Sequence, residues 1–316
     1  MPRKPGRDAG NLCYNSPQMI LVTGGTGFIG RSLIRLLVDS GRQVRILLRP
    51  SAESPRLPRG MPVEVAVSSL ADFRSLRAAM KDVEAVFHLA GAERHSTQSN
   101  LNLVDVEGTK QVVNAAKEAG VKRFFYMSHL GANRSSAFPV LKAKAIAEKW
   151  IMDSGVPYTI FRADGIYGPG DQFTEPIYQL LKMIPGVFFF PGQNVSLMQP
   201  LYVDDLVTCM NLALEDEKTI NRLYSIGGAE FLSYREIVHL IAKRTGLRRL
   251  FIPISLGNMR SLTLWVNQLD KNFPISVFWL DTLAENRTCT IDILPREFGI
   301  MPARMGQKLD YLVQPQ

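Results

Sequence analysis

The stretch with the most specific chemistry is Thr23-Gly24-Gly25-Thr26-Gly27-Phe28-Ile29-Gly30. It follows the apolar run Met19–Thr23 and opens a segment with helical apolar spacing. A strand, a tight glycine turn and a helix start in that order make a cradle for a pyrophosphate. Gly24 lets the chain turn, Gly27 lets backbone N–H groups approach phosphate, and Gly30 lets the helix pack against the strand. The backbone of Gly24, Thr26, Gly27, Phe28 and Ile29 is therefore the expected contact surface for a dinucleotide. The charge that follows bears on which dinucleotide. No acidic residue occurs from Gln43 to Ala52, whereas Arg45 and Arg49 do, with Arg49 just past the strand-like Val44–Leu48. A carboxylate there holds free ribose hydroxyls, and a guanidinium receives a 2′-phosphate. Arg49 therefore favours NADP(H) over NAD(H); the alternative is a solvated arginine.

These residues need a scaffold, and the pattern around them supplies one. Strand-like runs at Met19–Thr23, Val44–Leu48, Val63–Val67, Ala85–Leu89, Arg123–Met127 and Tyr158–Arg162 alternate with helical patterns at Phe28–Ser40, Asp72–Met80, Leu103–Ala119 and Val140–Ser154. Several strands are apolar throughout, as expected when both faces are covered. The alternation predicts an α/β fold, a doubly wound parallel sheet, with residues 19–165 as the dinucleotide-binding domain. After residue 165 glycines and prolines interrupt the pattern, and 166–316 is expected to form a smaller C-terminal α/β lobe. Helices are expected at Asp204–Asp216 and Ser233–Thr245 and a strand at Leu223–Ile226, with Asp204 or Asp205 capping the first of these helices.

The totals set limits. The chain has 316 residues, 46% hydrophobic and 21% charged, with a net charge of +8. That composition is ordinary for a globular protein, and no nucleic-acid motif accompanies the basic balance. Residues 1–18 read as a flexible leader without the apolar core of a secretory signal. Cys13, Cys209 and Cys289 are far apart and lack metal spacing, so neither a disulfide framework nor a metal site is expected, and Cys209 reads as a buried small hydrophobe. No apolar window is long enough to span a bilayer, and a cytoplasmic location is expected, with peripheral attachment at the inner face of a membrane as an option. Leu256, Met259, Leu262, Val266 and Leu269 recur at helical spacing, and Phe278, Trp279, Leu280 and Leu283 follow Pro274. Residues 256–283 read either as a core-packing helical lobe or as a surface for a protein complex or membrane, with Arg260, Lys271 and Arg287 as the positive charges.

The chain resembles the extended short-chain dehydrogenase/reductase superfamily. The resemblance rests on Thr23–Gly30, His88-Leu89-Ala90-Gly91, Val106-Glu107-Gly108-Thr109, Gly165-Ile166-Tyr167-Gly168-Pro169-Gly170-Asp171, Pro200-Leu201-Tyr202-Val203-Asp204-Asp205 and Phe298-Gly299-Ile300-Met301-Pro302. Within it, Ser128-His129-Leu130-Gly131-Ala132, Lys144-Ala145-Ile146-Ala147-Glu148-Lys149 and Leu309-Asp310-Tyr311-Leu312 are similar to the atypical branch that holds the dehydrogenase-fold accessory subunit of respiratory complex I and its bacterial relatives. The resemblance implies that Ala90 and Gly91 line the cofactor and that Ser69-Leu70 stands where members often carry an adenine-reading aspartate. It also implies that Lys144 contacts the nicotinamide ribose. The proton-transferring tyrosine of the Tyr-x-x-x-Lys pattern is replaced here by Val140, which has no proton to give. The supporting hydroxyl falls at Ser128 or His129, and the latter has an imidazole suited to acid–base work. Tyr167 is a further hydroxyl near the expected cleft, or a packing residue. Two functions follow. One is a protein that holds NADP(H) for structural, redox-sensing or assembly purposes within a larger complex. The other is a reductase, dehydrogenase or epimerase with an altered proton donor.

Overall fold

The computed structural model describes residues 19–51, 60–92, 101–184, 186–191, 196–269 and 285–313, together with Leu280 and Leu283. The leader with Cys13, and Lys271, Pro274, Phe278 and Trp279, lie outside the described residues.

Seven parallel strands form the main sheet. In chain order they are β1 (Met19–Thr23), β2 (Gln43–Leu48), β3 (Glu64–Val67), β4 (Val83–His88), β5 (Arg123–His129), β6 (Tyr158–Ala163) and, much later, β11 (Arg222–Ser225). Their spatial order is β11-β6-β5-β4-β1-β2-β3. The chain winds outward from β1 through β2 to β3, then returns to lay β4 on the other side of β1. The order therefore reverses between β1 and β4, which leaves a crevice at the carboxyl ends of those strands, where sheets of this kind receive ligands.

Helices cover both faces, which is why β1 is buried along its whole length and can be entirely apolar up to Thr23. One face is packed by α1 (Phe28–Asp39) and α6 (Val203–Glu215), with Leu33, Ile34, Leu37, Leu206, Val207 and Met210 in a common core. The other is packed by α2 (Phe73–Ala79), α3 (Thr109–Glu118) and α4 (Pro139–Asp153), through residues such as Leu76, Val112, Ala116, Ala147 and Ile151. Local chemistry sets the helix ends. Asp72 accepts from the Ser75 N–H to cap α2, and Pro139 starts α4 where its missing N–H costs nothing. A stretch of π-helix, Asn102–Gly108, runs directly into α3, and its Asp105 is buried.

The remaining elements build a second core. They are β7 (Ile166–Tyr167), α5 (Thr174–Met183), β8 (Val187–Pro191), β9 (Leu197–Met198), β10 (Leu201–Tyr202), β12 (Leu232–Ser233), α7 (Tyr234–Thr245), β13 (Leu250–Ile254), α8 (Leu256–Leu269) and α9 (Ile293–Phe298). Phe188, Phe190, Ile237, Ile241, Met259, Leu280 and Leu283 pack together there. α9 instead joins α1 and α6 against the main sheet through Leu294. Ser233 and Glu236 form a reciprocal capping box at the start of α7.

Two expectations are revised. The α6 helix begins at Val203, so Asp204 and Asp205 lie in its first turn and neither caps it. They still complement the helix dipole, and the Asp205 Oδ2 accepts the Ala303 N–H at 2.8 Å, tying down the C-terminal segment. In α8, Met259 and Thr263 face inward, whereas Leu262 is exposed and Trp265 is 66% exposed. The apolar stripe read from the sequence is therefore divided between the core and the surface.

Candidate functional site

The glycine turn has the geometry of an anion cradle. Gly24 has φ +71°, and a Cβ there would lie 2.7 Å from the backbone of Leu89 and Ala90. A Cβ on Gly30 would lie 2.3 Å from the Gly24 carbonyl oxygen. Both positions therefore require glycine. The Gly27 N–H donates to the Gly24 carbonyl at 2.9 Å and closes the turn. α1 then starts without a side-chain cap and without an acidic residue in its first turn, so its N–H groups and dipole face outward uncompensated. Arg31 adds a positive charge beside the cradle: its guanidinium donates to the Thr26 carbonyl at 3.1 Å and stands against Gly170. The turn, its helix and this charge fit a dinucleotide pyrophosphate.

A buried polar chain fixes the walls of the crevice. The Ala90 N–H donates to the Thr23 hydroxyl at 3.3 Å, and that hydroxyl lies 2.7 Å from the His88 Nδ1. The His88 Nε2 lies 3.0 Å from the Thr109 hydroxyl, which itself donates to the Asp105 carbonyl at 2.6 Å. Because the Thr109 proton is committed to that carbonyl, Nε2 carries the ring proton and Nδ1 accepts from Thr23. Burial, reinforced by the nearby charge of Lys144, pushes the His88 pKa down to about 3. His88 is thus a neutral strut. The sequence marks it only as part of a motif.

Lys144 is buried on α4, not solvated. Its Nζ donates to the Met127 carbonyl at 3.3 Å, pairs with the Asp105 Oδ1 at 3.3 Å and lies 5.2 Å from the centre of the Tyr126 ring. Asp105 also accepts the Ala92 N–H at 3.0 Å, which ties the loop after β4 to the same carboxylate. Val140, one turn earlier on α4, is 1% exposed. The two candidates at the end of β5 separate. The Ser128 hydroxyl donates to the Glu148 Oε1 at 2.6 Å, and Glu148 also accepts from the Arg162 Nε at 2.7 Å, a contact that raises the Arg162 pKa. Ser128 is therefore bound into a structural network. His129 instead has its Nδ1 3.7 Å from the Asp164 Oδ1, and the Asp164 Oδ2 lies 3.6 Å from the Arg287 Nη1. Arg287 is buried, so it is no part of a basic surface.

The other predicted residues fall into place individually. Arg45 donates to the carbonyls of Ala79 and Lys81 at 2.8 and 2.7 Å and pairs with Glu64, so it is committed to structure, whereas Arg49 is exposed beyond β2. The Ser69 hydroxyl accepts from the Ala71 N–H at 3.2 Å, and Leu70 packs beside Gly108. Ala90 is half-buried against the glycine turn, and Gly91 is exposed beside it. Tyr167 lies in the second core against Tyr202, and burial raises its pKa. Cys209 is buried and its thiol is pushed up to about 12. Asp105, Asp164 and the burial of Arg287 were missed. Each depends on a partner far away in sequence, which local spacing does not show.

The sheet order, the crevice and the glycine cradle define an NAD(P)-binding Rossmann-type fold of the atypical short-chain dehydrogenase/reductase class. The chain belongs to the NmrA-like family, whose model matches residues 16–277. It is 26% identical over 314 residues to the mitochondrial NADH dehydrogenase [ubiquinone] 1 alpha subcomplex subunit 9 of Arabidopsis thaliana, covering 93% of this chain and 77% of that one. It is 33% identical over 167 residues to the ceramide reductase of Caulobacter vibrioides, covering 53% and 52%. The NADPH-dependent quinone oxidoreductase QOR2 of Escherichia coli, solved with NADPH, has the same fold, with a TM-score of 0.73 at 20% identity over 94% of this chain and all of that one. Among the described residues no helix is long and apolar enough to cross a membrane.

Proposed function

We propose that this protein holds NADP(H) across the crevice between β1 and β4 and serves as a structural, redox-sensing or assembly subunit of a larger complex. Val140 carries this reading: a buried valine occupies the position from which a tyrosine would exchange a proton. The withdrawal of Ser128 into its contact with Glu148 and Arg162 supports it, as does the likeness to a complex I subunit. In this reading residues 19–165, together with α6, β11 and α9, form the dinucleotide-binding domain, and the rest of 166–316 presents the partner lobe. The exposed Leu262 and Trp265 of α8 belong to its docking face, for a protein complex or a membrane surface. Arg49 receives the 2′-phosphate, and Lys144 approaches the nicotinamide ribose.

A second reading, a reductase or epimerase on a carbonyl, quinone or sugar-nucleotide substrate, is favoured by His129, set beside Asp164 at the end of β5. The likeness to a ceramide reductase supports it. Bound nicotinamide would supply or accept the hydride, and the protein would have only to place the substrate and manage a proton. One experiment divides the readings. The purified protein is assayed for bound NADPH, then for NADPH oxidation across panels of carbonyls and quinones. Tight binding without turnover is expected. Turnover that is abolished in His129→Ala would overturn the first reading. Arg49→Glu should weaken NADPH far more than NADH, and equal weakening would refute the role of Arg49.

A further inference from the structure

Arg287 is the charged group that the fold explains least. Its side chain is 1% exposed, yet among the described residues Nε, Nη1 and Nη2 all lack a hydrogen-bond partner. The nearest carboxylate, Asp164, stands at 3.6 Å, beyond hydrogen-bond reach, with its other oxygen turned toward His129. A guanidinium keeps its charge in a protein and offers five N–H donors in a planar fork. Even a closer Asp164 would engage only part of that fork. A buried cation with unmet donors is strongly disfavoured unless further oxygen atoms reach it.

The backbone around Arg287 is firmly built. Its N–H donates to the Leu197 carbonyl at 2.9 Å, and the neighbouring Asn286 side chain accepts from the Leu197 N–H at 2.8 Å. Two residues on, the Cys289 N–H donates to the Gln199 side chain at 2.9 Å. The position within the sheet is also informative. Asp164 follows β6 and His129 ends β5, so Arg287 reaches the carboxyl edge on the β4 side of the order reversal, away from β2 and β3. The guanidinium nitrogens are enclosed at this edge, so a second molecule entering beside a dinucleotide in the crevice reaches them only when the wall in front of them moves aside.

We propose that Arg287 recognises the carboxylate of a small organic acid, with Asp164 orienting the guanidinium. A planar carboxylate matches two parallel N–H donors of the fork. Asp164 also selects by charge: it tolerates a monoanion on the far side of the guanidinium better than a phosphate dianion. The proposal goes beyond cofactor holding and stands whether or not the second molecule is turned over.

The test is a calorimetric titration of the full chain, with saturating NADPH and without it. The probes are pyruvate, acetoacetate and levulinate, each against its methyl ester, with inorganic phosphate alongside. At least one acid should bind saturably and its ester about tenfold more weakly or worse. Phosphate should give no response in the NADPH-loaded protein. Arg287→Met should abolish acid binding, Arg287→Lys should weaken it about tenfold through loss of the fork, and Asp164→Asn should tighten it by removing the neighbouring negative charge. Should Arg287→Met fail to fold, Arg287→Lys and Asp164→Asn carry the test. Equal binding of acid and ester, binding that survives in the Arg287 variants, or no acid binding by the parent protein would overturn the proposal and leave a buried structural arginine. NADPH is titrated in the same samples, so a failure of the cofactor reading shows there and leaves the comparison of acids intact.

Discussion

Acidification should weaken this fold through one residue, His88. Its ordinary pKa of 6.5 falls to about 3 in the folded protein. The unfolded chain therefore binds a proton below pH 6.5 that the folded chain refuses. The stabilisation is fully present above pH 6.5 and is lost as the pH falls toward 3, at about 1.4 kcal/mol per pH unit. At pH 4.5, two units into that window, the loss is about 2.7 kcal/mol. The hydrogen-bond chain supplies the mechanism: protonating Nδ1 turns its acceptor into a donor facing a Thr23 hydroxyl that already donates to it. In His88→Asn the amide oxygen takes the place of Nδ1 and nothing titrates. The variant should be about 2–3 kcal/mol less stable at pH 7, from the lost Thr109 contact and the smaller side chain. That gap should nearly close at pH 4.5, because only the parent protein carries the histidine penalty. Urea unfolding followed by tryptophan fluorescence at both pH values measures it. A gap of the same size at pH 7 and pH 4.5 would refute both the assigned tautomer and the neutral strut.

Three further outcomes follow from the same geometry. Lys144→Met and Asp105→Asn should each cost about 3–5 kcal/mol, because each strands a buried charge, while the double variant should cost well under the sum; additive losses in urea unfolding would show that the two do not act as a pair. Gly30→Ala should weaken NADPH binding more than tenfold, because its Cβ meets the Gly24 carbonyl at 2.3 Å and the turn must shift; an unchanged affinity in a direct titration would count against the cradle. Glu148→Gln should lower stability by about 2–3 kcal/mol, since it weakens the contacts from Ser128 and Arg162 together, and a thermal midpoint equal to the parent's would contradict that.

Features carried by short-range pattern were legible in the sequence. The continuous apolar run of β1, the glycine spacing after it and the alternation through β6 fixed the fold class, because each is written within a few residues. The divided face of α8 was harder to see: Thr263, not Leu262, turns inward, and residue type alone does not report which side of a helix meets its neighbour. The charge pairs were harder still. Lys144 meets Asp105 across a helix boundary, and Arg287 meets Asp164 across most of the second half of the chain. Arg287 read as surface charge because arginines mostly are exposed. Only the packing of β9 against the segment that carries Arg287 shows that this one is enclosed.

The polar groups along the carboxyl edge of the sheet sort into two kinds, and the difference bears on function. Around β1 and β4 the donors and acceptors close on one another, from Ala90 through Thr23, His88 and Thr109 to Asp105. A completed buried network of this kind is rigid and has no capacity left for chemistry. It suits a wall that must present a fixed shape to a cofactor. Around β5 and β6 Asp164 stands between His129 and Arg287 at distances longer than hydrogen bonds, and among the described residues the guanidinium has unused donors. Each unsatisfied buried group calls for an explanation, and the carboxylate proposed for Arg287 supplies one. On the proposal that Arg287 binds a carboxylate, and with Val140 read as the replaced proton donor on α4, a second molecule that reacts would exchange its proton with His129. On that proposal, holding and recognition lie at separate points along a single sheet edge. The cofactor question can be settled by variants at Gly30 and Arg49, and the question of a second molecule by variants at Arg287 and His129, without either set disturbing the other.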